Sequence, residues 1–132
     1  MVKVKNIIPA MRAIIDRDSN KLSLIDVLEN SLASNFPYAY SNITYAVFME
    51  RTSKDPEEGE LEISLRVGKK FVLEKAKAKY NFEGRNHAKC LMNITGVGVE
   101  NPGVIEFTVI ANKVETKHSI TVEAMPKTNW YY

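Results

Sequence analysis

At 132 residues, 45% apolar and 26% charged, the chain has the composition of an ordinary soluble globular protein and the length for one self-sufficient core. A net charge of +2 excludes strong global steering toward polyanions, and a single cysteine excludes an internal disulfide. The polar start Met1-Val-Lys-Val-Lys-Asn lacks a leader's apolar core, and no apolar run reaches spanning length, so a cytoplasmic protein with no membrane partner is expected.

Residues 2–15 mix Val, Ile, Ala and Met around Pro9, which cannot donate a ladder hydrogen bond, and therefore predict an edge strand. Asp16-Arg-Asp-Ser-Asn-Lys21 is a turn sequence. Residues 22–32 are ambiguous. Leu24, Leu28 and Leu32 stand at helical spacing, whereas Leu22, Leu24, Asp26 and Leu28 also fit alternation. The expectation is a strand over 22–28 and a short helical turn over 29–33, ended at Phe36-Pro37 by the restriction proline places on its predecessor.

Ile43 to Arg51 is apolar on both faces, as a central strand should be. Beyond the polar turn at 52–59, Leu61, Ile63, Leu65 and Val67 alternate with Glu62, Ser64 and Arg66, and Gly68-Lys-Lys predicts a hairpin into residues 71–80. There the apolar phase slips from Phe71 and Leu73 to Ala76, Ala78 and Tyr80, which predicts a β-bulge near Glu74–Lys75. Residues 88–94 form a further strand, Gly96 to Gly103 a glycine-rich connection, and residues 104–111 and 118–124 two more strands joined through Asn112-Lys113. Together these predict an all-β, antiparallel, immunoglobulin-like sandwich of seven or eight strands over residues 1–126, with an aromatic tail at 127–132.

No pattern points to catalysis, a metal or a cofactor. Asp16, Asp18 and Asn20 occupy the first ligand positions of a calcium loop, but Lys21 and Val27 stand where glycine and a bidentate glutamate belong. His87-x-x-Cys90 with His118 supplies too few ligands for structural zinc, and His87 and Cys90 fall on opposite strand faces, against a nucleophilic pair. A hydrolase built on Cys90 or the carboxylates is the weakest reading. Lys75, Lys77 and Lys79 share one strand face and offer a polyanion or nucleic-acid surface, although aromatic rings for base stacking fall on the other phase. The favoured reading is a non-enzymatic interaction module that binds a protein partner or itself through loops and edge strands. Its candidate residues are Tyr38, Tyr40 and Tyr45 around the Pro37 turn and Trp130, Tyr131 and Tyr132 in the tail, amphipathic rings of the kind enriched at interfaces.

Asp16-x-Asp18-x-x-Lys21-x-Ser23-Leu24-Ile25, then Phe36-Pro37, the strand through Val47-Phe48, Gly59-Glu60, and Pro102-Gly103 before Ile105-Glu-Phe107 resemble a family of small uncharacterised bacterial proteins. That family carries a pattern like C-D-x-x-x-D-x-x-G-K-x-S-L-x-G-x-F-D followed by Phe-Pro. Here Ile15 replaces the cysteine, and Asn20 and Asp26 replace two glycines. The resemblance implies an immunoglobulin-like sandwich with a strand at 22–28, and implies no activity.

Overall fold

The computed structural model describes residues 1–126. They form two stacked sheets: β1 (Lys3–Ile15), β2 (Leu22–Val27), β4 (Tyr38–Glu50) and β7 (His87–Val99) in one, and β3 (Ser31–Ala33), β5 (Glu58–Val67), β6 (Lys70–Asn81), β8 (Gly103–Ala111) and β9 (Val114–Ala124) in the other. The spatial orders are β2-β1-β4-β7 and β3-β9-β8-β5-β6. The fold is an all-β sandwich with nine strands and no helix among the described residues.

Alternation builds the core as the sequence predicts. Leu61, Ile63 and Leu65 of β5, Ile105, Phe107 and Val109 of β8, and Ile120 and Val122 of β9 face inward. They meet Ile43, Tyr45, Val47 and Met49 of β4 from the opposite sheet. β4 lies between β1 and β7, which explains its double apolarity: Ala46, directed away from the core cluster, is still covered by its lateral neighbours Ile8 and Leu91.

Turn chemistry fixes the registers. Val67 pairs with Lys70 across Gly68-Lys69, and only Gly68 has a positive φ (59°), the arrangement of a II′ hairpin. Ala111 pairs with Val114 across Asn112 and Lys113, both left-handed (φ 51° and 65°), as a I′ turn requires. The bulge falls where the phase slip places it. Glu74 and Lys75 together oppose Ser64, Lys75 has φ 48°, and its N–H donates to Ser64 Oγ at 2.9 Å. Asn20 and Asp26, at the two positions where the resembled pattern carries glycine, have φ of 57° and 55°. Asparagine and aspartate are among the few side chains that tolerate this conformation.

Four expectations need correction. Residues 29–33 form no helical turn; Ser31–Ala33 is β3, paired parallel with Val122–Ala124, so the sandwich is not wholly antiparallel and has nine strands rather than seven or eight. Local spacing could not reveal this, because what orders the segment is a distant edge: the Asn30 side chain accepts from Thr121 N–H, and Met125 N–H donates to Ala33. Leu32, on the supposed helical stripe, is exposed.

The second correction concerns β1, which is not an edge along its whole length. It carries β2 over Ala10–Ile15 and β4 over Lys3–Ala10, and Pro9 sits at the crossover. The Pro9 carbonyl accepts from Leu28 N–H at 2.8 Å, so its imide nitrogen faces the side on which β2 has just ended, where no donor is required. Third, Gly96–Val99 is strand, not connection. Val97 and Val99 are buried, and Gly96 (φ 69°) supplies a kink that lets both Ile94 and Val97 face inward. Finally, Tyr38 and Tyr40, expected around the Pro37 turn, and residues 58 and 59 of the expected turn at 52–59 belong to β4 and β5.

Candidate interaction edge

The residues suggested for chemistry do not converge. Asp16 Oδ1 accepts from the N–H groups of Asp18 and Ser19, which makes this a self-bonded turn and holds the Asp16 carboxyl below its ordinary range. Cys90 is half-buried on β7 with Sγ 3.9 Å from the Lys79 carbonyl, and burial pushes its thiol pKa up, opposite to what a nucleophile needs. His118 lies in the other sheet, its ring 6.1 Å from that of Phe107. Among the described residues no group of three or more His, Cys, Asp or Glu side chains is placed to hold a metal ion.

The aromatic candidates divide. Tyr45 is fully buried, stacked 5.1 Å from Phe107 with its hydroxyl donating to the Ser64 carbonyl at 3.4 Å, and burial raises its phenol pKa. Tyr40 is also a core residue, its hydroxyl 3.2 Å from Ser31 Oγ. Only Tyr38, edge-on to Tyr40 at 5.1 Å, offers a ring to solvent. Their neighbours in sequence are turn-like, but β4 runs through the centre of its sheet and takes two of the three rings inside. Trp130, Tyr131 and Tyr132 lie outside the described residues.

Lys77 and Lys79 share the outward face of β6, while Lys75 occupies the bulge. Glu62 and Glu60 stand directly opposite Lys77 and Lys79 on β5, and Lys77 Nζ lies 3.9 Å from Glu60 Oε2. Beyond them come Arg66 with Glu106, and Lys117 with Glu106 and Glu115. The face therefore alternates in sign rather than presenting the uniform positive field that phosphate binding favours. β6 alone hides this, because the acids come from its partner strand.

What the fold places on the surface instead is a set of open strand edges. An open edge is a template for further pairing unless charge, a bulge, proline or brevity blunts it. β6 carries Lys70, Glu74, Lys75, Lys77, Lys79 and the bulge. β3 has three residues; β2 has six, with left-handed Asp26. The part of β1 that β2 leaves bare holds Lys3, Lys5, Pro9 and a bulge between Val4 and Asn6. The part of β9 that β3 leaves bare holds Glu115 and Lys117.

β7 differs. It is thirteen residues long, pairs only with β4 among the described residues, and has no charged side chain from Cys90 to Val99. No other open edge segment of the described residues runs so far without charge. Asn93, Thr95, Gly96 and Gly98 along it are exposed. The inner face beside it is apolar and only half covered: Cys90, Met92 and Ile94 of β7, like Leu73, Ala78 and Tyr80 of β6, pack partly buried against the core. The two edges meet near Lys79 and Cys90 and part toward a cleft of about 350 Å³ between Gly68–Val72 and Gly98–Val104. The ten uncharged residues of β7 are no distinguishing mark in the sequence, since residues 30–49 are uncharged over twice that length. Gly96 and Gly98 give the segment the local look of a loop.

No helix of the described residues is long and apolar enough to cross a membrane. No family model, curated protein or solved structure matches the chain.

Proposed function

We propose that the protein is a non-enzymatic interaction module that works by adding a protein strand to the open edge of β7, in a reducing, cytoplasmic setting that suits a lone unpaired thiol. The observation that carries this reading is the length of the uncharged open edge: among the described residues β7 leaves ten uncharged residues, kinked at Gly96, open on one side, against six at most on any other bare flank, Tyr38–Ile43 of β4. Strand addition supplies affinity through main-chain hydrogen bonds and specificity through alternate side chains. The half-covered row of Met92 and Ile94 would take inward-facing apolar groups, while Asn93 and Thr95 accept polar ones.

A photoreactive amino acid placed at Thr95, and for comparison at Lys77 and Ser23, tests the reading in living cells. Covalent protein adducts should form from Thr95 and not from the other two. Adducts from Lys77 alone, or none from Thr95, would refute it.

A further inference from the structure

We propose that the strand received by β7 is β7 of a second copy of this chain, paired antiparallel across a two-fold axis so that two four-stranded sheets become one of eight. The inference rests on the edge reading above and names its occupant.

Three observations select this partner. First, association through one unblunted edge closes. A two-fold pairing consumes the longest uncharged edge of the described residues on both copies and yields a dimer rather than a fibre. Second, charge at the ends of the edge is complementary only in the antiparallel sense. His87 and Lys89 stand at the start of β7 and Glu100 just past its end. Antiparallel pairing centred near Asn93 sets His87 and Lys89 opposite Val99 and Val97 of the second copy, at the end where its Glu100 stands, whereas a parallel arrangement would lay lysine on lysine. Between those ends nothing repels, over a contact of about 33 Å for ten residues at strand spacing.

Third, the outward face of this sheet continues to the edge. Ile8, Ala46 and Leu91 align across β1, β4 and β7 in one register row, while the next row runs Asn6, Phe48 and Lys89. Pairing centred near Asn93 sets Leu91, the edge of the first row, against Thr95 of the second copy instead of leaving it to water. On the inner face the incoming Met92 and Ile94 would lie over the half-covered flank beside Ala76 and Ala78.

The test is sedimentation velocity on the full chain over a wide concentration range. Wild type should run as a species of twice 14.9 kDa, dissociating on dilution. Thr95→Lys with Gly98→Lys, both at exposed positions and the second with open space around it, copies onto β7 the device that blunts β6. That variant should sediment as a monomer with an unchanged circular-dichroism spectrum, and Ser23→Lys on β2 should remain dimeric. A wild type that is monomeric throughout, or a dimer that survives both lysines, overturns the proposal. Should a monomeric wild type still give adducts to a different protein from Thr95, self-pairing is wrong and the edge reading stands. Should there be neither dimer nor adduct, both fall.

Discussion

Lys113→Gly should stabilise the protein, and the neighbouring Asn112→Gly should not, although both backbones are left-handed. Lys113 is the second central residue of the I′ turn joining β8 and β9, at φ 65°. A β-carbon in that conformation costs about 1–2 kcal/mol. Glycine removes the cost but adds about 0.5–1 kcal/mol of unfolded-chain entropy to be lost on folding. The difference leaves about 0.5–1 kcal/mol of net stabilisation, which for a chain of this size raises Tm by about 2–4 °C. The lysine side chain is exposed, so its removal should add little to the balance.

Asn112 has φ 51°, but asparagine tolerates the region, so there is less to relieve. Its Nδ2 also donates to the Val2 carbonyl at 3.1 Å, tying the turn to the chain ahead of β1. Losing that bond costs about 0.5–1.5 kcal/mol, so Asn112→Gly should be neutral or destabilising. Thermal and urea denaturation of the two variants, followed by far-ultraviolet circular dichroism, decide the matter. A Lys113→Gly protein that melts at or below wild type, or an Asn112→Gly protein that gains as much, would show that backbone strain at this turn is not what limits stability.

Asp26→Gly, at φ 55°, should raise the urea midpoint much less than Lys113→Gly does, because aspartate tolerates the left-handed region; a gain as large as that of Lys113→Gly would count against this account. Gly59→Ala should destabilise by about 1–3 kcal/mol, because a β-carbon there would overlap the Tyr80 hydroxyl and ring, and Tyr80→Leu in the same chain should recover part of the loss. Asp55 accepts from the Met1 ammonium and the Thr52 N–H, which lowers its pKa from 3.8 to about 2. Its folded-state pKa being depressed, its contribution is complete above 3.8 and is lost as pH falls through about 2. Asp55→Asn should therefore flatten the acid limb of stability against pH, and an unchanged limb would exclude the pairing. Cys90, half-buried with a raised pKa, should react with a thiol reagent far more slowly in the native protein than in urea; equal rates would show that the β6–β7 flank opens freely.

Period-two alternation, hairpin turn residues and one slip of phase determined most of this protein before any coordinates. They gave the strands β5, β6, β8 and β9, the face of each that turns inward, and the bulge at Glu74–Lys75. These are local matters, since side-chain direction in a strand and φ in a tight turn depend on the residue and its nearest neighbours. Tertiary structure alone decided what depends on partners distant in the chain. It turned Ser31–Ala33 into a strand on the rim of β9, carried Tyr40 and Tyr45 into the core, set Glu60 and Glu62 against the lysines of β6, and left one side of β7 unpaired among the described residues. Whether an edge is open is a property of the whole sheet, because a strand's hydrogen-bonding capacity is fixed by its backbone while its neighbours are assigned only by the fold.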